Sequence, residues 1–179
     1  MSKLLKYARV ERERRFLLAA PPARIDPATG YRQIDDLYLE GTRLRLRSVT
    51  SHEGERIEQQ LNQKLPAPGG DPAHRIITSV YLDPAEYQAL AVLPGRRLAK
   101  RRYDYGHAGH TFGVDVFGGP LAGLLLAEIE LDAEAELRAV PLPSFAHCEV
   151  TEQALFTGGE LVRADPARVL AEARRLLAG

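Results

Sequence analysis

Several short stretches of this chain place charged side chains at alternate positions, and within a stretch the charges are largely of one sign. Glu11 and Glu13 alternate with Arg12 and Arg14, and Arg15 follows in step. Arg43, Arg45 and Arg47 alternate with Leu44 and Leu46. Lys64 is in step with Gln60 and Asn62, Lys100 with Arg102, and Glu128 with Glu130, while Asp115 stands between Val114 and Val116. In an extended chain residues i and i+2 share a face. Like charges on one face repel unless an opposite charge lies between them. A solvated sheet face gains nothing from such sorting, whereas an enclosed site for a polyanion and divalent cations does. Arginine forms bidentate hydrogen bonds to phosphate and lysine offers a point charge. Magnesium and manganese prefer carboxylate oxygens and bridge them to phosphate.

Such faces need strands to present them. Period-two patterns bounded by Gly, Pro and polar turns predict strands at residues 9–18, 31–39, 42–49, 56–65, 74–82, 97–105, 110–117 and 124–131. Residues 26–30 and 66–72 read as loops, and Gly118-Gly119-Pro120 as a turn rather than a phosphate loop, because no Lys-Ser/Thr follows it. Eight antiparallel strands joined by short turns commonly close into a barrel. One helix interrupts them: Asp83-Pro84-Ala85-Glu86 combines an N-cap, a first-position proline and a capping-box glutamate, with Tyr87, Leu90, Ala91 and Leu93 as the apolar face. From about residue 151 the tail reads as helical, with a short helix capped by Thr151 and a final one by Asp165-Pro166. That last helix is expected to cover an end or side of the barrel, leaving Arg168, Arg174 and Arg175 solvated. The fold class expected is α+β, a closed eight-stranded antiparallel β-barrel forming a tunnel with flanking helices, and residues 1–179 form a single domain.

Charge and composition narrow the partners. The 24 basic and 24 acidic residues balance, which argues against a nucleic-acid grip. The basic residues include only four lysines: Lys3, Lys6, Lys64 and Lys100. Met1-Ser2-Lys3-Leu4-Leu5-Lys6 has the apolar length of neither a signal peptide nor a membrane span. A single cysteine, Cys148, fits a reducing, cytoplasmic setting and reads as a buried structural thiol. His52, His74, His107 and His110 match no zinc spacing and read as solvated turn residues, and Tyr103 and Phe117 as core.

Three segments in order carry a family resemblance. Glu11-Arg12-Glu13-Arg14-Arg15-Phe16-Leu17 resembles the ExExK opening of the CYTH group, the triphosphate tunnel metalloenzymes. Lys100-Arg101-Arg102-Tyr103 and Phe112-Gly113-Val114-Asp115-Val116-Phe117 are similar to that group's K-x-R-Y and F-E-V-D-V-F. Leu121-Ala122-Gly123-Leu124, Ala127-Glu128-Ile129-Glu130-Leu131 and Glu149-Val150-Thr151 are similar to its closing motifs. The resemblance implies a metal set of Glu11, Glu13, Glu128 and Glu130 assisted by Asp115. It implies phosphate binding by Arg43, Arg45, Lys64, Arg75, Lys100 and Arg102, and a catalytic set of Glu11, Glu13 and Arg15. Magnesium or manganese is the implied cofactor, and the implied activity is metal-dependent hydrolysis of a small triphosphate such as inorganic tripolyphosphate. An adenylyl cyclase making cyclic AMP from ATP and a non-catalytic polyphosphate- or nucleotide-binding domain are the alternatives. No membrane partner is expected, and a homodimer is left open. Arg15 stands where the motif has lysine, Gly113 where many members have glutamate, and the strand after Arg75 shows Ile77, Ser79 and Tyr81 where carboxylates usually alternate. Binding tolerates such changes better than catalysis.

Overall fold

The computed structural model describes residues 7–23, 25, 30–67 and 69–179. The N-terminal segment 1–6, with its two lysines, and most of the 26–30 loop lie outside the described residues. Eight strands form the barrel: β1 (Arg9–Leu17), β2 (Tyr31–Leu39), β3 (Leu44–Ser51), β4 (Arg56–Pro66), β5 (His74–Tyr81), β6 (Gly95–His107), β7 (His110–Phe117) and β8 (Leu125–Glu130). Their order is β5-β4-β3-β2-β6-β7-β8-β1, every pairing is antiparallel, and β1–β5 pairing closes the ring. A two-residue strand, β9 (Cys148–Glu149), adds to the outer half of β1.

The pleat turns this barrel inside out. The alternating charges point inward, so the apolar faces point outward and must be covered from outside. Helix α1 (Pro84–Ala91) lays Tyr87, Leu90 and Ala91 on Leu37, Leu39 and Leu46. Its predicted capping box is complete: Asp83 accepts from the Ala85 and Glu86 amides, and Glu86 accepts from the Asp83 amide. Leu93, expected on the apolar face, is exposed. Helix α2 (Glu134–Ala139), not expected from the sequence, seats Leu137 on a cluster built from Phe16, Phe112, Val114 and Ile129. At one end of the barrel Leu17, Leu98, Phe117 and Leu126 form an apolar floor. The tail packs beneath it through Phe156 and Leu161, followed by α4 (Pro166–Leu177) with Val169 and Ala173. Leu161 belongs to the short helix α3 (Gly158–Arg163).

Other local expectations are corrected. β3 starts at Leu44, so Arg43 lies in the preceding turn and is exposed. Thr151 caps no helix. Its hydroxyl accepts from the Arg15 amide at 2.9 Å and donates to Glu149, which itself receives two bonds from Arg14. The Glu149-Val150-Thr151 motif is thus a clasp on β1, and the only regular structure that follows it directly is a 3-10 turn at Ala154–Phe156. Cys148 is half-buried rather than buried, and desolvation pushes its thiol up. His107 is half-buried against Phe145 and Phe112 rather than solvated.

Candidate functional site

The barrel encloses a cavity of about 1340 Å³. Glu11, Glu13, Arg15, Arg45, Lys64, Arg75, Lys100, Arg102, Glu128 and Glu130 all line it, and Arg43 reaches it from the rim. Asp115 shares the inward face of β7 but is fully buried behind the two bases it holds.

The two acidic strands are neighbours. In the β1–β8 register Glu13 lies opposite Glu130, and Arg15 opposite Glu128. A like-charged cross-strand pair is unfavourable on its own. Accordingly Glu130 is pushed up from the usual carboxylate range, first by burial and then by repulsion from Glu11 and Glu13. The bases flank this wall. Lys64 donates to Glu11, and Arg102 to Glu128. Burial opposes ionisation of Glu11, but Lys64 outweighs it and holds the carboxyl low. Glu128 is likewise held well below the carboxylate range against burial, by Lys100 and Arg102.

Behind the bases lies a rigid strut. Asp115 takes Lys100 on one oxygen at 2.5 Å and Arg102 on both at 2.6 Å. Burial and the adjacent Arg102 push the Lys100 ammonium below its usual range, against the pull of Asp115. Gly113 allows this arrangement. A Cβ there would stand 3.1 Å from the Arg102 side chain, which crosses the position where many CYTH members carry glutamate.

Asp36 was not anticipated. It is fully buried and accepts two bonds from Arg47, at 2.7 and 2.8 Å, with Arg45 at 3.7 Å. Burial resists its charge, yet Arg45 and Arg47 hold it well below the aspartate range. Arg45 also donates to Asn62 at 2.9 Å. Arg47 was visible as a member of the arginine face. Asp36 was hidden beside Asp35, which the register leaves exposed.

No protein-family model matches the sequence, and neither does any curated protein. Solved structures do. A structure described as the hypothetical protein NE1496 shares 25% identity, covering 87% of this chain and 99% of that one with a TM-score of 0.55. Another, described as the inorganic triphosphatase NE1496, shares 24% over 86% and 95%, also at 0.55. A candidate adenylate cyclase, bh2851 from Bacillus halodurans, shares 14% over 74% and 86% with a TM-score of 0.52. This chain has the CYTH triphosphate-tunnel fold.

Within the tunnel the donor set fits a hard divalent cation. The four glutamates supply only oxygen, and the Glu13–Glu130 pair leaves negative charge that calls for one. Their oxygens do not gather as a tight group, because each glutamate leans toward a base: Lys64, Arg15, Arg102 or, at 3.6 Å, Arg9. Among the described residues one other set does gather, Asp71, His74 and Glu134, with ligand atoms within 4.8 Å of one another. It lies outside the tunnel. Its two imidazole nitrogens face different carboxylates at 3.8 Å, and Arg138 donates to both acids at 2.7 and 2.8 Å, so a guanidinium already balances it.

The departures from the CYTH motifs have visible settings. Arg15 is buried, donates to Glu13 at 3.1 Å and reaches the Thr151 carbonyl at 3.3 Å, so it ties the acidic strand to the clasp. Ile77, Ser79 and Tyr81 line the β5 wall, leaving that side of the tunnel without carboxylates apart from those of its neighbours. Among the described residues no helix is long and apolar enough to cross a membrane.

Proposed function

We propose that this chain hydrolyses a small linear triphosphate, inorganic tripolyphosphate or a close relative, with magnesium or manganese as cofactor. The observation that carries this reading is the sorting of charge inside one cavity: four glutamates on adjacent strands β1 and β8, with bases from β3, β4, β5 and β6 on either side. The likeness to NE1496, one structure of which is described as an inorganic triphosphatase, supports it. Glu11, Glu13, Glu128 and Glu130 would hold the metal, which supplies charge neutralisation and polarisation at the terminal phosphate. Arg43, Arg45, Lys64, Arg75, Lys100 and Arg102 would bind phosphate oxygens and offset charge in the transition state. Arg15 would act by fixing Glu13. Asp115, with both oxygens engaged, suits the aiming of Lys100 and Arg102 better than metal ligation.

The apolar floor of Leu98, Phe117 and Leu126 favours a short linear substrate over one that must pass through the barrel. The chain would work as a single cytoplasmic domain on a small molecule, without nucleic acid or membrane. Release of orthophosphate from tripolyphosphate, assayed with and without manganese, tests the reading. Metal-dependent release is expected, and none at any metal concentration would sink it. The β5 wall of Ile77 and Ser79 favours one second reading, a polyphosphate-binding domain, for which tight binding without turnover is the expected result.

A further inference from the structure

Four bases approach the glutamates of the tunnel, and they are not equally held. Arg102 is fixed by three bonds to Asp115 and Glu128 besides the pull of neighbouring charge, and Arg15 by Glu13 and the Thr151 carbonyl. Arg9 is exposed at the rim. Lys64 is different. Among the described residues it makes one hydrogen bond, to Glu11, on a flexible four-carbon stem whose side chain is 31% exposed. Its partner is 8% exposed, so the mobile member of the pair is the cation. The influence of Lys64 extends beyond Glu11, since its charge also favours ionisation of Glu128 and Glu130. Its direct contact is with Glu11.

From this geometry we infer that Lys64 is an exchangeable counter-ion: its ammonium takes the cation position at Glu11, a divalent metal must displace it, and the displaced side chain is then free to turn to a polyanion. The inference rests on the assignment of Glu11 as a metal ligand made above. It adds that the lysine and the metal compete for one carboxylate. Two cations cannot share that oxygen without strong repulsion, since like charges a few ångströms apart disfavour each other. Losing a charge-assisted hydrogen bond of this kind on metal entry lowers metal affinity by about tenfold or more. A polyanion that draws Lys64 away removes that competition, so anion and metal favour each other's binding through a named residue.

The test is manganese affinity of the metal-free protein without phosphate, measured by loss of the free-ion EPR signal. Lys64→Met is expected to bind manganese about tenfold more tightly than the wild type, and Lys64→Arg, which keeps the charge, about as weakly. In a Glu11→Gln background the gain from Lys64→Met is expected to shrink, since the contested carboxylate is gone. Urea unfolding of each variant establishes that it is folded. Equal or weaker binding by a folded Lys64→Met protein overturns the inference, as does an undiminished gain in the Glu11→Gln background or no manganese binding by any variant at millimolar concentration. If Lys64→Met misfolds, the same comparison is made with Lys64→Gln. None of these measurements involves turnover, so they fail independently of the phosphate-release assay.

Discussion

Lys64 and Lys100 face the same tunnel and each donates to a carboxylate, yet they are held in opposite ways. Lys100 is buried, and its partner Asp115, itself closed to solvent, is shared with the half-buried Arg102. Among the described residues Lys64 rests on Glu11 alone, with nearly a third of its side chain exposed. One pair is a strut that keeps two bases aimed. The other is a contact that can open and re-form. A polyanion site needs both kinds, because fixed charges supply orientation at no reorganisation cost, while some charge must move to admit the ligand.

Unfolding energies separate the two. Asp115→Asn leaves the buried Lys100 without its carboxylate and weakens the hold on Arg102, and it is expected to cost about 3–5 kcal/mol in urea denaturation; a loss no larger than that of Lys64→Met would mean Asp115 is not the strut. Asp36→Asn, at the second buried pair, is expected to cost about 2–3 kcal/mol. It also carries a pH signature. The Asp36 carboxyl is held below its usual range in the folded state. Its contribution is therefore fully present above the unfolded aspartate range, about pH 4, and is lost as pH falls through the lower folded value. Wild-type stability should drop on acidification below about pH 4, and the variant should show a shallower slope; identical slopes would remove Asp36 from the acid response. Lys64→Met comes last, at about 1–2 kcal/mol, with its main effect on manganese affinity.

The alternation that defines the tunnel was legible in the chain. Period two placed Glu11 with Glu13, Arg45 with Arg47, Lys100 with Arg102 and Glu128 with Glu130, and each pair lies on one inward face. The α1 capping box was legible for a similar reason, being written within four consecutive residues. Arg43 was misplaced because the turn at Gly41 delays β3 by two residues, which a run of alternating arginines conceals. Helix α2 and strand β9 escaped because each is short and exists by docking on a finished barrel: α2 through Leu137, β9 through the outer edge of β1. The Glu149-Val150-Thr151 match was seen as a motif, but its work as a clasp depends on Arg14 and Arg15, more than a hundred residues away.

Local pattern by itself determined which side chains share a face, because strand geometry alone sets that period. It also determined that the faces carry sorted charge, and through this that the barrel interior is polar. Only the tertiary structure decided which acid meets which base. Asp35 and Asp36 are indistinguishable as neighbours in a chain, and strand register sends one to solvent and the other to Arg47. Lys64 and Lys100 are likewise alike in sequence. The closure of β1 against β5 and β8 brings Glu11 to the first, and the β6–β7 hairpin brings Asp115 to the second. The physical reason is that pairing strength depends on burial and on the number of shared partners, and both are properties of the closed barrel rather than of any one strand.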